Sequence, residues 1–204
     1  IQWWKNAHPG EPLEDPLNEA DFVTRYRSAF VTKLKELKKK IAKMFPKGED
    51  IRMWVGKDCP RRTIWRMDLF PDYKKNRERE DGFLGGPFFA MAYNDHLFEE
   101  GGCEAVLKAP RLEADDCLAI ATRHILADSP NNQIVIVTSD MDYLQLASDR
   151  VKLLDLKYKL ITESSRCSGN PAKDLFCKIM AGDQSDCIPS VFPKCGPKTA
   201  AKCF

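Results

Sequence analysis

The sequence predicts an α/β fold with a central, mostly parallel sheet that is flanked by helices. Residues 133–138 (QIVIVT) form a continuous apolar run after a predicted helix, which is typical of a strand buried on both faces. In that helix, residues 113–127, apolar residues recur at the spacing of one buried helical face. At 204 residues the chain is long enough for one large domain with a substantial core.

The elements before this core are predicted in order as a loop, a long helix and a short strand. Residues 1–20 contain three prolines and are predicted to be extended. Residues 22–45 are predicted to form one helix, because apolar residues make a continuous stripe and lysines occupy the solvated face. Pro46 and Gly48 end that helix, and the strand that follows covers residues 51–55.

Composition indicates a globular protein of a reducing compartment. Hydrophobic residues make up 43% and charged residues 30% of the chain, and neither a membrane span nor a signal peptide is recognisable. The eight cysteines occur without a Cys-x-x-Cys pair, and only three histidines accompany them. We therefore expect reduced core thiols rather than disulfides or zinc ligands, in an intracellular protein of the cytoplasm or nucleus or of viral or phage origin.

Acidic residues lie at the ends of predicted elements in four places. In parallel sheets, ligands bind at the carboxyl ends of the strands. The acids are Asp58 after the first strand, Glu113, Asp115 and Asp116 at the start of the helix, Asp140 and Asp142 after QIVIVT, and Asp183 and Asp186 after the segment 171–181. Each group alone could be a turn, a helix cap or a helix stop. Together the carboxylates would repel one another unless cations bind between them. The set predicts a site for Mg²⁺ or Mn²⁺, which in pairs catalyse phosphodiester hydrolysis.

Four blocks of the sequence carry a family resemblance. EADDCLAIA, TSDMDYLQL and AGDQSDCIPSVFPKCGPKTAAK resemble, in order and spacing, the signatures of the flap endonuclease family of structure-specific 5′ nucleases, which includes phage 5′ exonucleases and the nuclease domain of bacterial DNA polymerase I. GKDCPRRTIWRMDLFPDYKKNRE resembles the segment that leads into the arch of that family. The resemblance covers most of residues 51–203. It implies a PIN-like core, two divalent metal ions and a helix–three-turn–helix that grips duplex DNA.

The resemblance also implies residue roles. Asp58, Glu113 and Asp115 would bind the tighter metal ion, with Asp116 in the same cluster as a ligand or through water, and Asp140, Asp142, Asp183 and Asp186 would hold the second ion. Lys74, Lys75 and Arg77 would act catalytically by clamping the scissile phosphate. Lys194, Gly196, Lys198, Thr199 and Lys202 would bind the DNA duplex, with backbone N–H groups as a phosphate cradle. Without the eight proposed ligands, 22 acids remain against 32 basic residues, which is a balance typical of a nucleic-acid-binding protein.

On this reading, residues 1–165 form the nuclease core, with an arch segment at about 74–102 and the first strand of the family lying before residue 1. Residues 166–204 begin the helix–three-turn–helix, which we expect to continue beyond the chain. We predict Mg²⁺-dependent exonuclease or endonuclease cleavage of DNA with a 5′ flap, a nick or a free 5′ end, in replication, repair or recombination. Whether residues 82–102 thread a 5′ flap stays open.

Two other functions are weighed against this one. A catalytically inactive module that binds branched DNA is disfavoured, because an idle site has no physical reason to keep so many repelling acids. A PIN-type ribonuclease is disfavoured because such domains generally lack the Gly-Pro-Lys-Thr element found here at residues 196–199.

Overall fold

The computed structural model describes residues 2–11, 13–46, 50–79, 85–164 and 167–204, and it confirms the α/β class. The chain forms two compact units: residues 1–55 with 81–106, and residues 56–80 with 107–204. The helices are α1 (Gln2–Ala7), α2 (Ala20–Ala42), α3 (Arg66–Leu69), α4 (Gly85–Asn94), α5 (Leu97–Glu100), α6 (Ala114–Asp128), α7 (Pro171–Ala181) and α8 (Pro197–Cys203). The strands are β1 (Trp54–Gly56), β2 (Ala105–Leu107), β3 (Ile134–Val137) and β4 (Val151–Leu154). None of the helices in the described part of the chain is both long and apolar enough to cross a bilayer.

In the first unit, α2 packs its apolar face against α4 and α5. Val31 of α2 is buried in one cluster with Leu97 and Phe98. Gly101 permits the close approach of α2, because a Cβ at this position would lie 2.5 Å from Cδ1 of Leu34. The core of this unit therefore depends on a long helix lying directly on a glycine turn.

The predicted long helix is confirmed, whereas the prediction of an extended segment over residues 1–20 is wrong at its start. Helix α2 ends at Ala42, three residues before the predicted end. Helix α1 forms because the prolines come only after it, and the buried ring of Trp4 stacks on that of His8 with centroids 3.9 Å apart. Strand β1 begins at Trp54 rather than at Ile51.

In the second unit, β3 and β4 pair in parallel, in the register Ile134↔Val151 to Val137↔Leu154. Ile136 and Leu153 are buried between the neighbouring elements. The strand predicted over residues 133–138 is confirmed to within one residue at each end, and α6 and α7 also agree with their predicted ranges. These elements carry three of the four acidic groups.

The predicted central sheet takes the form of two short ladders in the described part of the chain. Strand β1 pairs with β2, and β3 pairs with β4. The strands are only three or four residues long, so each pair has room for few hydrogen bonds. The predicted parallel pairing is confirmed for β3 and β4, but one continuous sheet is not formed by these residues.

Candidate active site

The site begins where the chain leaves β1 and meets the start of α6. Gly56 lies so near the first turn of α6 that a Cβ at this position would be 2.9 Å from the carbonyl oxygen of Ala114. Two residues further on, the carboxylate of Asp58 accepts a hydrogen bond of 2.7 Å from the Ala114 N–H. Asp58 therefore lies at the positive end of α6, beside the acids that open this helix.

Three acids converge at the start of α6. One carboxylate oxygen from each of Glu113, Asp115 and Asp116 lies within 4.8 Å of the other two. Glu113 is only 5% exposed. Burial raises the pKa of Asp115, and the nearby charge of Glu113 raises it further. Such a convergence of oxygen donors suits a hard divalent cation.

The acids after β3 lie near the same cluster. Asp140 accepts a hydrogen bond of 2.9 Å from the Asp142 N–H and so begins a short 3-10 turn. Tyr143 in this turn is buried, and burial raises the pKa of its hydroxyl. The negative charges of Asp115, Asp140 and Asp58 raise that pKa further. The acids that follow β1, open α6 and follow β3 thus all act electrostatically on one tyrosine.

Lys178 connects the acids after α7 with those after β3. Its Nζ donates to Oδ2 of Asp183 at 2.8 Å and also to Asp142. Ser185 donates to Asp183 from its backbone N–H at 2.9 Å and from its hydroxyl at 2.6 Å. Burial raises the pKa of Asp183, but the hydrogen bonds from Lys178 and Ser185 outweigh it and hold the pKa at about 2.

Lys74 and Arg77 connect the α6 cluster with the segment after α7. The Lys74 Nζ donates to Oε1 of Glu113 at 2.5 Å, and its backbone N–H donates to the carbonyl oxygen of Asp186 at 2.9 Å. Arg77 donates to the Asp186 carboxylate at 2.7 Å. Both residues therefore lie where the sequence predicts basic side chains beside the acids.

The other predicted basic residues make their contacts elsewhere. Lys75 is exposed and pairs with Asp72 at 2.9 Å. The predicted DNA-binding residues lie in α8 or just before it, and their lysines are exposed: Lys194, Gly196, Lys198, Thr199 and Lys202. In the predicted phosphate cradle, the N–H of Gly196 donates to the carbonyl of Lys194 and that of Thr199 to the carbonyl of Gly196. Of the three N–H groups predicted to form the cradle, those of Gly196, Lys198 and Thr199, two are thus used within the chain, because the turn before α8 is closed by its own hydrogen bonds.

Sequence reasoning missed Arg66, Tyr73 and Lys178. Arg66 donates two hydrogen bonds of 2.7 Å to Asp116, and the Tyr73 hydroxyl donates one of 2.8 Å to Glu113. Burial raises the pKa of Asp116, but the hydrogen bonds from Arg66 and from the Glu113 N–H, together with the charge of Arg66, outweigh it and lower the pKa. The only signal for Arg66 and Tyr73 is that both lie in the block that leads towards the arch, because a contact between distant segments leaves no periodic pattern.

An α/β unit that gathers acids from the ends of its elements, and pairs them with lysine and arginine, has the architecture of a PIN-like nuclease domain. Residues 18–170 match the family described as the 5′-3′ exonuclease, N-terminal resolvase-like domain. The chain belongs to this family.

Two curated relatives illustrate the relationship. DNA polymerase I of Mycobacterium tuberculosis is 32% identical over an alignment of 151 positions, which covers 69% of this chain and 16% of the polymerase. The flap endonuclease Xni of Shewanella pealeana is 32% identical over 145 residues, 68% of this chain and 52% of Xni. The chain thus spans about a sixth of the polymerase and about half of Xni.

Solved structures from phage T5 share the fold. The T5 D15 protein co-crystallised with metal ions superposes with a TM-score of 0.61 at 17% identity, over 89% of this chain and 70% of that one. The T5 5′-exonuclease with bound zinc gives a TM-score of 0.60 at 16% identity, over 99% of this chain and 70% of that one.

Proposed function

We propose that the chain is the catalytic part of a structure-specific 5′ nuclease, a flap endonuclease or 5′-3′ exonuclease acting in DNA replication, repair or recombination. The observation that carries this proposal is that Lys74 lies on Glu113 in the acidic cluster at the start of α6 and Arg77 lies on Asp186, in the unit that also contains Asp58, Asp140, Asp142 and Asp183. Family membership supports it, as do relatives named flap endonucleases and a T5 structure described as a complex with DNA and metal ions. The proposed substrates are DNAs with a 5′ flap, a nick or a free 5′ end.

We further propose that the acids hold two Mg²⁺ ions, for which Mn²⁺ substitutes. The donor set fits, because it consists of carboxylate oxygens and those of Glu113 and Asp115 already lie within 4.8 Å of each other. Asp58, Glu113 and Asp115 would hold one ion, and the acids after β3 and α7 would hold the other: Asp140, Asp142, Asp183 and Asp186. When bound, such a pair of ions activates water and stabilises the leaving oxygen.

The basic residues of the site would act on the phosphate. Lys74 is mostly buried against Glu113, whereas Arg77 is about half exposed, so Arg77 can meet an incoming backbone first. Charge-assisted hydrogen bonds from both would neutralise the negative charge that grows on the phosphate during hydrolysis. Because Lys75 faces Asp72, its proposed role is limited to contact with the DNA backbone.

Duplex binding is proposed for residues 166–204. Lys194, Lys198 and Lys202 are exposed around α8, and lysines there can contact backbone phosphates without reading bases. This would make the enzyme selective for DNA structure rather than for sequence. All eight cysteines are free thiols, which supports a reducing compartment as its site of action.

The test is cleavage of three labelled substrates by the purified chain: a 5′-flap DNA, a nicked DNA duplex and a single-stranded RNA. We expect flap and nicked DNA to be cut in Mg²⁺ or Mn²⁺, leaving 5′-phosphate and 3′-hydroxyl ends, and no cleavage in excess chelator. Equal cleavage in chelator would contradict the proposal. Flap binding without cleavage would indicate an inactive DNA-binding module, and cleavage of RNA alone would indicate a ribonuclease.

A further inference from the structure

The carboxylate of Asp116 already accepts four hydrogen bonds from the protein. Its Oδ1 accepts a hydrogen bond from Nη2 of Arg66 at 2.7 Å. Its Oδ2 accepts three: from Nη1 of Arg66 at 2.7 Å, from the backbone N–H of Glu113 at 3.1 Å and from Nε1 of Trp65 at 3.3 Å. A carboxylate offers about four lone-pair sites. Four donors therefore take up most of the capacity that a metal ligand would need.

Arg66 holds this carboxylate in a rigid geometry. Its guanidinium forms the bidentate fork that gives the strongest and most directional pairing with a carboxylate. The same group donates to Oε2 of Glu113 at 3.1 Å and stacks 4.8 Å from the ring centroid of Trp65. Arg66 thus touches two of the three acids at the start of α6 and is itself fixed by an aromatic neighbour.

Asp115 provides the contrast. Its Oδ1 accepts a single hydrogen bond of 2.8 Å, from the backbone N–H of Asp116. Among the described residues, no basic side chain forms an ion pair with Asp115. The two neighbouring aspartates therefore differ in hydrogen bonding. The Asp116 carboxylate is used by protein donors, whereas the Asp115 carboxylate keeps oxygen lone pairs available for a cation.

We infer that Arg66 and Asp116 are positioning residues, which clamp the first turn of α6 and orient Glu113, and that Asp116 is not itself a metal ligand. This inference rests on the proposed metal-dependent function. The clamp links α3 to the N-terminus of α6 and sets one positive charge among three acids, so the turn can form before any cation binds. Partners of this kind hold ligands in orientation, and their loss typically weakens metal binding without removing the site.

The test measures Mn²⁺ binding to the purified chain by titration calorimetry and electron paramagnetic resonance, without DNA. Asp116→Asn and Asp115→Asn form a matched pair in the same helical turn. We expect Asp116→Asn to bind as many Mn²⁺ ions as the parent, about tenfold more weakly, because Glu113 loses its fixed orientation. Asp115→Asn is expected to bind one ion fewer.

A second variant keeps the inference testable if Asp116→Asn folds poorly. Arg66→Lys retains the charge but lacks the fork, so it should also weaken Mn²⁺ binding about tenfold at unchanged stoichiometry. The double variant Arg66→Lys, Asp116→Asn should bind Mn²⁺ little more weakly than the weaker-binding single variant. Both changes break the same Arg66–Asp116 pair, so their effects should not add.

Two results would overturn the inference. If Asp116→Asn loses an ion as Asp115→Asn does, Asp116 is a ligand; if it lowers the melting temperature in chelator but leaves Mn²⁺ affinity unchanged, its role is purely structural. A parent chain that binds Mn²⁺ but cuts no DNA would contradict the proposed function without contradicting the positioning role of Arg66 and Asp116. A parent chain that binds no Mn²⁺ overturns the clamp with the metal site.

Discussion

At the scale of single residues, several acids of the site are paired with a particular base. Lys74 pairs with Glu113, Arg77 with Asp186, and Lys178 with both Asp142 and Asp183. The sequence predicts which acids meet, because their places after strands and helices follow from the topology of parallel sheets. It does not predict which base lies on which acid, since that depends on side-chain packing between segments that are far apart in the chain.

The neighbouring residues Lys74 and Lys75 should differ sharply in function. Lys74 is mostly buried against Glu113, whereas Lys75 is exposed on Asp72. We expect Lys74→Ala to slow the single-turnover cleavage of flap DNA about 100-fold at saturating enzyme, because it removes a charge aimed at the reacting phosphate. Lys75→Ala, the matched control, should stay within a few-fold of the parent; equal effects of the two changes would refute this division.

The low pKa of Asp183 predicts a specific acid sensitivity of the metal-free protein. Hydrogen bonds from Lys178 and Ser185 hold this pKa at about 2, against about 3.9 for an unfolded aspartate. A lowered carboxyl pKa stabilises the fold above the unfolded pKa, and this contribution disappears as the pH falls through 2. The stability advantage of the parent over Asp183→Asn should therefore shrink between pH 5 and pH 2. The measurement is the urea unfolding midpoint of both proteins in chelator across this pH range. A difference between the two midpoints that does not change with pH would contradict the prediction.

At the scale of elements, local patterns predicted helices well and pairings less well. The ranges of α6 and β3 agree with prediction, because apolar periodicity and a continuous apolar run are properties of the segment itself. Helix α1 was not predicted, because it depends on the packing of Trp4 rather than on a repeating pattern. The division of the sheet into two ladders depends on hydrogen bonds between segments, which no window of sequence contains.

The junction of β1 with α6 should be a backbone contact of the site that is sensitive to an added side chain. A Cβ at position 56 would lie 2.9 Å from the Ala114 carbonyl oxygen and 3.1 Å from Cγ of Leu118. We expect Gly56→Ala to destabilise the protein by about 1–3 kcal/mol and to weaken Mn²⁺ binding, since it pushes α6 away from Asp58. Gly86→Ala in α4 is the control, because no heavy atom lies within 4 Å of a Cβ there. Thermal and urea unfolding of both variants test the contrast.

At the scale of the whole molecule, charge is distributed unevenly between acids that meet in the site and bases on the rest of the chain. The formal net charge of +2 conceals this, because 8 of the 30 acids belong to the proposed metal site. The remaining excess of lysine and arginine favours binding to a polyanion at a rate and affinity that depend on salt. Binding and catalysis should therefore respond to different changes.

A lysine of α8 should affect the affinity for duplex DNA but not the rate of the cleavage step. Lys198 is exposed, so its loss removes at most a backbone contact. We expect Lys198→Ala to weaken duplex binding at moderate salt and to reduce the slope of log affinity against log salt by about one, with near-normal single-turnover cleavage at saturating enzyme. Lys157 is an exposed lysine after β4, so Lys157→Ala is the control for the loss of any positive charge. A reduced maximal rate for Lys198→Ala would contradict this prediction.

If the proposed function holds, the pairing of Lys74 with Glu113 and of Arg77 with Asp186 should make the binding of metal ions and the binding of DNA depend on each other. A DNA phosphate that draws these bases away frees two carboxylates for a cation, and a cation on the carboxylates frees the bases for DNA. Thermodynamic reciprocity then requires that each raises the affinity of the other by the same factor, about tenfold in systems of this kind. The factor is obtained by measuring flap-DNA affinity with and without Ca²⁺, and Ca²⁺ affinity with and without flap DNA. Independent binding of the two would show that these ion pairs do not restrain the empty site.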